Sequence, residues 1–436
     1  MDRRDFLRST LAAGTAGLGV SAVTSAAAST QVAPSDRLRL GFLGTGARAH
    51  QLIDACRALP GLEIVALCDA YTGRAERAKA RSGGTAAIRP DYRAVLDDRG
   101  VDAVFIVTPD HWHRTMALAA LDAGKDVYLE KPMTYAITEG REIIAAVDRS
   151  SRVLQVGSQG PSSALERAAR EIVKSGRLGQ ITLVRAAFNR NTAGGAWLYP
   201  IPPDASETTV NWAQFLGSAP PRPFSLERFF RWRCYWDYSG GLATDLFVHL
   251  ATTIHHVLDV QGPSHVMAAG STHRWTATHE VPDTIDALLT YPEGFTVTLG
   301  CTLNSTGGEE GVHIHGTKGT LHLLGDRLRL TTEQPGDDNR WVVRSWPESL
   351  ERAYYADPKV QAIETAGSQR QQTSPSGEEW VVRGESEDVA HVRSFVEAVR
   401  SRTQPVEDAR FGHRAAAVAH LVNQSIREGK RLTFDV

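Results

Sequence analysis

A glycine-rich turn near the start of the chain restricts its fold more than any other stretch. Residues Gly41-Phe42-Leu43-Gly44-Thr45-Gly46-Ala47-Arg48-Ala49 leave a β-rich run and open a helical one, giving the pattern G-x-G-x-x-A with Gly44, Gly46 and Ala49 in its fixed places. The first glycine permits the tight turn and the second lets backbone approach a pyrophosphate. The small third residue lets helix and strand pack closely, with the helix N-terminus turned toward phosphate charge. Such a turn functions only inside a β-α-β unit, so it predicts a parallel sheet. Asp69 closes the next β-rich run, 23 residues after Gly46, near the spacing of about 20 expected for the ribose-binding acid. A carboxylate there accepts from both ribose hydroxyls and repels a 2′-phosphate, so NAD is expected rather than NADP. Arg74, in the loop that follows, is the residue that would favour NADP.

The texture of the rest of the first third agrees with that turn. Strands are predicted over Leu38–Leu43, Leu62–Cys68, Val104–Val107, Asp126–Leu129 and Val153–Val156, separated by helical patterns around 49–58, 72–82, 113–123 and 138–149. Strands alternating with helices predict an α/β domain of the Rossmann type. After Gly179 the pattern changes to runs expected to pair antiparallel, Ile181–Phe188, Thr284–Tyr291, Thr296–Leu303 and Thr320–Leu324, with turn residues between them. This is read as a second, α+β domain. The boundaries expected are 1–34 for an address segment and linker, 35–160 for the dinucleotide-binding domain and 161–436 for the second domain. Within the latter, 333–385 is polar and rich in Gln, Ser and Pro, so it is read as a surface excursion, partly mobile. Helical periodicity returns over 389–400 and 413–427.

Bulk properties exclude several function classes. A chain of 436 residues has the length of about two domains plus extras. Its net charge of −2 gives no electrostatic basis for binding nucleic acid or an anionic membrane. The cysteines Cys56, Cys68, Cys234 and Cys301 are scattered, so neither a zinc knuckle nor a disulfide framework is indicated. The N-terminus is different. Asp2-Arg3-Arg4-Asp5-Phe6-Leu7-Arg8, a weakly apolar Ala/Gly/Ser run and Ala26-Ala27-Ala28 together resemble a twin-arginine export signal with its cleavage site, although Asp2 and Arg8 depart from the usual residues. Export to the periplasm or beyond the inner membrane is therefore expected, with no stable membrane insertion after processing.

Two motifs lie just past the carboxyl ends of predicted parallel strands, where open α/β sheets bind ligands. These are Thr108-Pro109-Asp110-His111-Trp112-His113 and Glu130-Lys131-Pro132. Further on, Tyr235-Trp236-Asp237-Tyr238-Ser239-Gly240-Gly241 leads into Asp245-x-x-x-His249. In this order the elements resemble the Gfo/Idh/MocA oxidoreductases, the family of glucose-fructose oxidoreductase and inositol dehydrogenase. The resemblance runs from about Leu38 to the C-terminus, where His391–Phe395 and Gly412-His413-Arg414 are similar to the exported branch. It implies a large, mainly antiparallel, open-faced sheet in the second domain, homo-oligomers formed through that sheet, and sugar or cyclitol substrates. It also implies that Thr108, Pro109, His113, Glu130, Lys131 and Gln159 join Gly44, Gly46, Ala49 and Asp69 around the cofactor. One departure stands out: where related NAD-using glycosidases carry Gly-Gly-His-Gly-Gly, this chain reads Gly240-Gly241-Leu242-Ala243-Thr244.

Oxidation of a secondary alcohol needs a base, a cation beside the developing alkoxide and a hydride acceptor. His249, with an ordinary pKa near 6.5, suits the first role. Lys131 suits the second and the nicotinamide the third. Asp245, four residues before His249, shares a helix face with it. The same pair, or Asp110 with His111 and His113, also has the chemistry of metal ligands, but hydride transfer to nicotinamide requires no metal and none is expected. Trp197, Tyr199, Trp232, Arg233, Tyr235 and Tyr238 cluster in an irregular region. Stacking aromatics with Arg233, together with Asp110 and His111, make it a candidate sugar cleft, against the alternative of core or interface aromatics. The expected activity is NAD-dependent sugar oxidoreduction with a tightly held cofactor. An NAD-dependent glycosidase or lyase acting through transient C3 oxidation, and a non-catalytic glycan-binding protein, are the competing readings.

Overall fold

The computed structural model describes residues 36–308, 310–332, 339–364 and 377–436. The expected export signal lies outside the described residues, as does part of the polar excursion. The first domain runs β1 (Leu38–Leu43), α1 (Ala47–Arg57), β2 (Leu62–Cys68), α2 (Thr72–Arg81), β3 (Ala87–Ile88), α3 (Tyr92–Leu96), β4 (Ala103–Ile106), α4 (His113–Asp122), β5 (Asp126–Glu130), α5 (Glu139–Ser150) and β6 (Leu154–Gly157). Its six strands are all parallel, in the order β3-β2-β1-β4-β5-β6. The central strands are buried on both faces, which is why they read as unbroken apolar runs such as Ala103-Val104-Phe105-Ile106. The strand order reverses between β1 and β4, opening a crevice at their carboxyl ends. Gly44 sits at that point with φ +85°, and a Cβ there would lie 2.4 Å from the Val107 carbonyl oxygen. Only glycine fits both restrictions.

The second domain continues through α6 (Ala164–Lys174), β7 (Ile181–Ala187), α7 (Trp212–Leu216), α8 (Leu226–Phe230), α9 (Val248–Leu258), β8 (His265–Ser271), β9 (Thr284–Thr290), β10 (Thr296–Thr302), β11 (Gly311–Gly316), β12 (Gly319–Leu324) and β13 (Arg327–Thr332). There follow α10 (Arg340–Val343), α11 (Glu348–Ala356), α12 (Pro358–Ile363), β14 (Gly377–Val381), α13 (Glu387–Ser401), α14 (Ala409–Glu428) and β15 (Leu432–Thr433). Nine strands form one sheet in the order β14-β13-β12-β11-β7-β10-β9-β8-β15. Within this sheet, among the described residues, only β7 and β10 pair parallel. Alternation along β9 and β10 sends Ile285, Ala287, Leu289, Val297 and Leu299 inward beneath α9 and α14. The opposite face is open, with Met267 and Leu288 cross-strand neighbours that are 53% and 47% exposed.

Two features differ from the sequence reading. Strand β14, Gly-Glu-Glu-Trp-Val, pairs with β13 at the sheet edge inside the stretch read as an excursion. Its exposed glutamates hide the alternation that marks a half-buried strand. The C-terminal helices, read as part of the second domain, return to the first. Val392, Phe395, Val396 and Val399 of α13 pack with Leu40, Phe42, Ile53 and Phe105, and Phe395 meets the Phe105 ring edge-on at 5.5 Å. Ala409 and Ala416 of α14 join the core on the other side of the same sheet. One face of the first sheet is thus completed by residues from the far end of the chain, Phe395 lying 290 positions after Phe105.

Candidate active site

The crevice at the carboxyl ends of β1, β2, β4 and β5 opens into a cavity of about 470 Å³ whose far wall comes from the second domain. Gly44, Gly46, Asp69, Thr108, Pro109, Glu130, Lys131 and Gln159 all line it. Ala49 lies below the surface, fully buried where α1 meets the sheet. A Cβ on Gly46 would meet only an Arg74 atom within 4 Å, at 3.9 Å, so the first turn of α1 faces open space. Asp69 has two tasks. Its carboxylate accepts from the Thr45 amide at 2.7 Å and the Tyr71 amide at 2.8 Å, fixing the turn, while it still reaches the cavity. The Thr108 hydroxyl is buried with no partner among the described residues. An open cradle over Gly46, a carboxylate at the end of β2 and an orphan hydroxyl beside them fit a dinucleotide.

The opposite end of the cavity is organised around Asp245. It lies in a π-helical turn, Ala243–Phe247, that leads into α9, where His249 occupies the first turn. Widened turns of this kind recur at functional positions. One Asp245 carboxylate oxygen accepts from Lys131 Nζ at 2.8 Å and from Arg233 Nε at 3.0 Å, and the other from the Trp197 indole at 3.1 Å. Lys131 Nζ also donates to the Asp245 carbonyl at 2.8 Å. Burial opposes ionisation of Asp245, but the charges of Lys131 and Arg233 outweigh it and hold the carboxyl well below the usual carboxylate range. Burial and the nearby Lys131 ammonium push His249 down to about 3, so its imidazole is neutral at physiological pH. Lys131, Asp245 and His249 therefore come together on one wall.

Six other expected residues do not line the cavity. His113 is fully buried, its ring nitrogens 2.6 Å from the Pro132 oxygen and 3.0 Å from the Thr108 oxygen, so it ties together the two loops that do. Asp110 is buried behind the site, where desolvation pushes its carboxyl up to about 7 against the pull of Arg233. His111 contacts the Phe215 carbonyl at 2.9 Å. Trp197, with φ +59°, supports Asp245 from behind. Tyr238 is fully buried among Phe215 and other rings, and Tyr235 lies under the Arg228 guanidinium at 4.2 Å. For these three aromatics the core alternative describes their position. Tyr199, Trp232 and Arg233 of the same cluster do face the cavity.

Sequence reasoning missed the outer wall. Gln214, Phe215, Phe229 and Phe230, from α7 and α8, close the groove opposite the Rossmann loops. Residues 204–215 are fastened there by bonds from the Asn211 amide to the Ala70 oxygen (2.7 Å), from Tyr71 Oη to Asp204 (2.6 Å) and from the Trp112 indole to the Phe215 oxygen (2.9 Å). Arg190 was missed as well. An isolated arginine after a strand carries no pattern, and only the fold brings it to the cavity. Among the described residues no cluster of three or more His, Cys, Asp or Glu could hold a metal, and no helix is long and apolar enough to cross a membrane.

Comparison with known proteins follows the same division. Residues 38–158 match the model of an oxidoreductase family with an NAD-binding Rossmann fold, and residues 167–322 match the C-terminal domain model of the GFO/IDH/MocA family. An inositol 2-dehydrogenase of Pseudomonas fluorescens is 32% identical over 159 residues, covering 36% of this chain and 47% of that protein. A glycosyl hydrolase family 109 protein of a Shewanella species is 26% identical over 209 residues, covering 43% of this chain and 45% of that protein. This chain thus spans about half the length of the curated relatives it matches. A levoglucosan dehydrogenase solved with NADH and levoglucosan superimposes with a TM-score of 0.65 at 19% identity, over 91% of this chain and 99% of that one. At that identity the likeness concerns the fold.

Proposed function

Because this chain belongs to the Gfo/Idh/MocA family of NAD-binding oxidoreductases, we propose that it oxidises a secondary alcohol of a sugar, cyclitol or glycoside at the Asp245 end of the cavity. The observation that carries the reading is the contact of Lys131 Nζ with Asp245 at 2.8 Å, with His249 on the same wall. NAD supplies the hydride acceptor. Asp245, held ionised, fixes the Lys131 ammonium where it can donate to the substrate oxygen as negative charge develops. His249, neutral, takes the hydroxyl proton. The test is reduction of cofactor at 340 nm when sugars are added. Lys131→Met and His249→Gln should keep NAD yet lose about 10²-fold in rate, and near-wild-type rates in both would refute these roles.

The fastened wall of residues 204–215 supports a further part of the reading, that the cofactor stays bound and that turnover is redox-neutral, hydride returning to a second substrate. Purified protein should then release stoichiometric NAD(H) only on denaturation. The paired arginines Arg3 and Arg4 support export through the twin-arginine route, which suits a protein loaded with cofactor before it leaves the cytoplasm. Export should fail in the Arg3→Lys, Arg4→Lys double variant. The exposed Met267 and Leu288 on the open sheet face support pairing of two copies there, which sedimentation analysis tests. The glycosidase reading lacks comparable support, because Leu242, where the related glycosidases have histidine, is fully buried.

A further inference from the structure

The ionisable side chains lining the cavity are unevenly distributed. Toward the Rossmann loops Arg48 binds Glu130 at 2.8 Å, and Arg74 feels the charge of Asp69 without forming an ion pair with it among the described residues. At the Asp245 end three cations, Lys131, Arg190 and Arg233, face the cavity with a single ionised carboxylate between them. Asp110, behind the wall, also acts on Arg233, but burial pushes its carboxyl up to about 7, so it offsets the surplus only in part.

The two arginines also have their donors free. Arg233 uses only Nε on Asp245, and its guanidinium lies over the Trp232 ring at 4.2 Å. Stacking holds the plane flat while its terminal nitrogens make no other hydrogen bond among the described residues. Arg190 lies over Phe188 at 5.1 Å and makes one long bond, 3.4 Å, to the Gly195 carbonyl. No carboxylate pairs with it among the described residues. A neutral sugar offers only hydroxyl dipoles to this surplus. A carboxylate or phosphate offers charge and two parallel oxygens that match a guanidinium fork.

We propose that the substrate is an acidic sugar, one bearing a carboxylate or phosphate group bound by Arg190 and Arg233 beside the reacting hydroxyl. The proposal names the substrate class of the site and rests on the oxidoreductase reading for the reaction, not for the binding.

The experiment uses the purified holoprotein and three matched sets: D-glucuronate and D-gluconate, D-glucose 6-phosphate, and the neutral D-glucose and myo-inositol. Binding is read by calorimetry and reaction by cofactor absorbance at 340 nm. At least one acid should bind about 10- to 100-fold more tightly than its neutral counterpart, the scale of a charge-assisted bond, with the advantage shrinking as salt rises. The glucuronate and phosphate arms separate the two anions. Arg190→Gln should cut the acid-to-neutral ratio by about tenfold, and Arg190→Lys should restore only part of it, since the charge returns without the fork. Equal binding of acids and neutral sugars by the wild type, binding of no acid, or an unchanged ratio in Arg190→Gln would each overturn the proposal. Arg190-dependent binding of acids with no absorbance change and no oxidised or reduced product of any sugar by mass spectrometry would instead uphold it and refute the oxidoreductase reading.

Discussion

Replacing Asp245 by Asn keeps the shape of the side chain and removes the one charge that holds the substrate end together. Lys131 and Arg233 stand 2.8 Å and 3.0 Å from its carboxylate. At an effective dielectric of about 20, each contact is worth roughly 6 kcal/mol of gross Coulomb energy. Desolvation cancels much of that, but the pairs are not solvent-screened, since the Lys131, Asp245 and Arg233 side chains are only 12%, 12% and 24% exposed. Breaking a buried pair by removing one partner costs about 3–5 kcal/mol, because the remaining charge stays buried. The Asn oxygen still accepts from one cation, so the lower figure, about 3 kcal/mol, is expected. Urea unfolding of the holoprotein should move to lower midpoint by about 1 M for a slope near 3 kcal/mol/M. The Lys131→Met variant provides the control. Combined with Asp245→Asn it should cost less than the sum of the two single changes by about 1–3 kcal/mol. Strict additivity, or an Asp245→Asn loss under about 1 kcal/mol, would show that the cations find other counter-charges and that Asp245 is not their anchor.

Three further outcomes follow from the same geometry. Tyr71→Phe removes the 2.6 Å bond to Asp204 that fastens the outer wall, so exchange of bound NAD with labelled NAD should speed up by about fivefold for about 1 kcal/mol lost. Asp69→Ser should lower the NAD-to-NADP affinity ratio by about tenfold or more, and it should also loosen the Gly44 turn, seen as faster amide exchange at Thr45 and Tyr71. His249 is depressed in the folded state to about 3, so below the unfolded value near 6.5 the unfolded chain binds a proton the folded chain refuses. Stability should fall as pH drops, by about 2 kcal/mol at pH 5 from this residue alone. His249→Gln should flatten that slope in denaturant titrations, and an unchanged slope would mean that His249 is protonated in the folded protein.

Legibility in the sequence followed the range over which each constraint acts. The Gly44 turn, the Asp69 position and the strand ends carrying Thr108 and Lys131 were readable because each is decided within one β-α unit, by sterics that a few neighbouring residues reveal. The Asp245–His249 pair was singled out by the family resemblance, with four-residue spacing placing both on one helix face, although the turn it sits on is π-helical rather than α-helical. Aromatic clustering at 197–238 was read too generously, because local sequence does not separate a ring that faces a ligand, such as Trp232, from one that fills the small core around Phe215, such as Tyr238. The outer wall was not readable at all, and α13, expected as a helix over 389–400, was not readable as part of the first domain, since the partners of both are supplied by loops and strands far away in the chain.

That division has a consequence for specificity. The cofactor half of the cavity is built from nearest-neighbour rules and so could be shared by chains with very different substrates. Its substrate half is assembled from β7's outgoing loop, the 3₁₀ turn at Trp232–Cys234 and the π turn before α9, three segments with no local pattern in common. Changing Arg190 or Arg233 would alter what is bound without disturbing the dinucleotide cradle, so substrate charge preference can vary while the hydride chemistry stays the same. On this argument the Arg190→Gln protein should keep its full complement of NAD, and loss of NAD from that variant would mean that the two halves are coupled through Lys131 and Asp245 more tightly than their separate origins suggest.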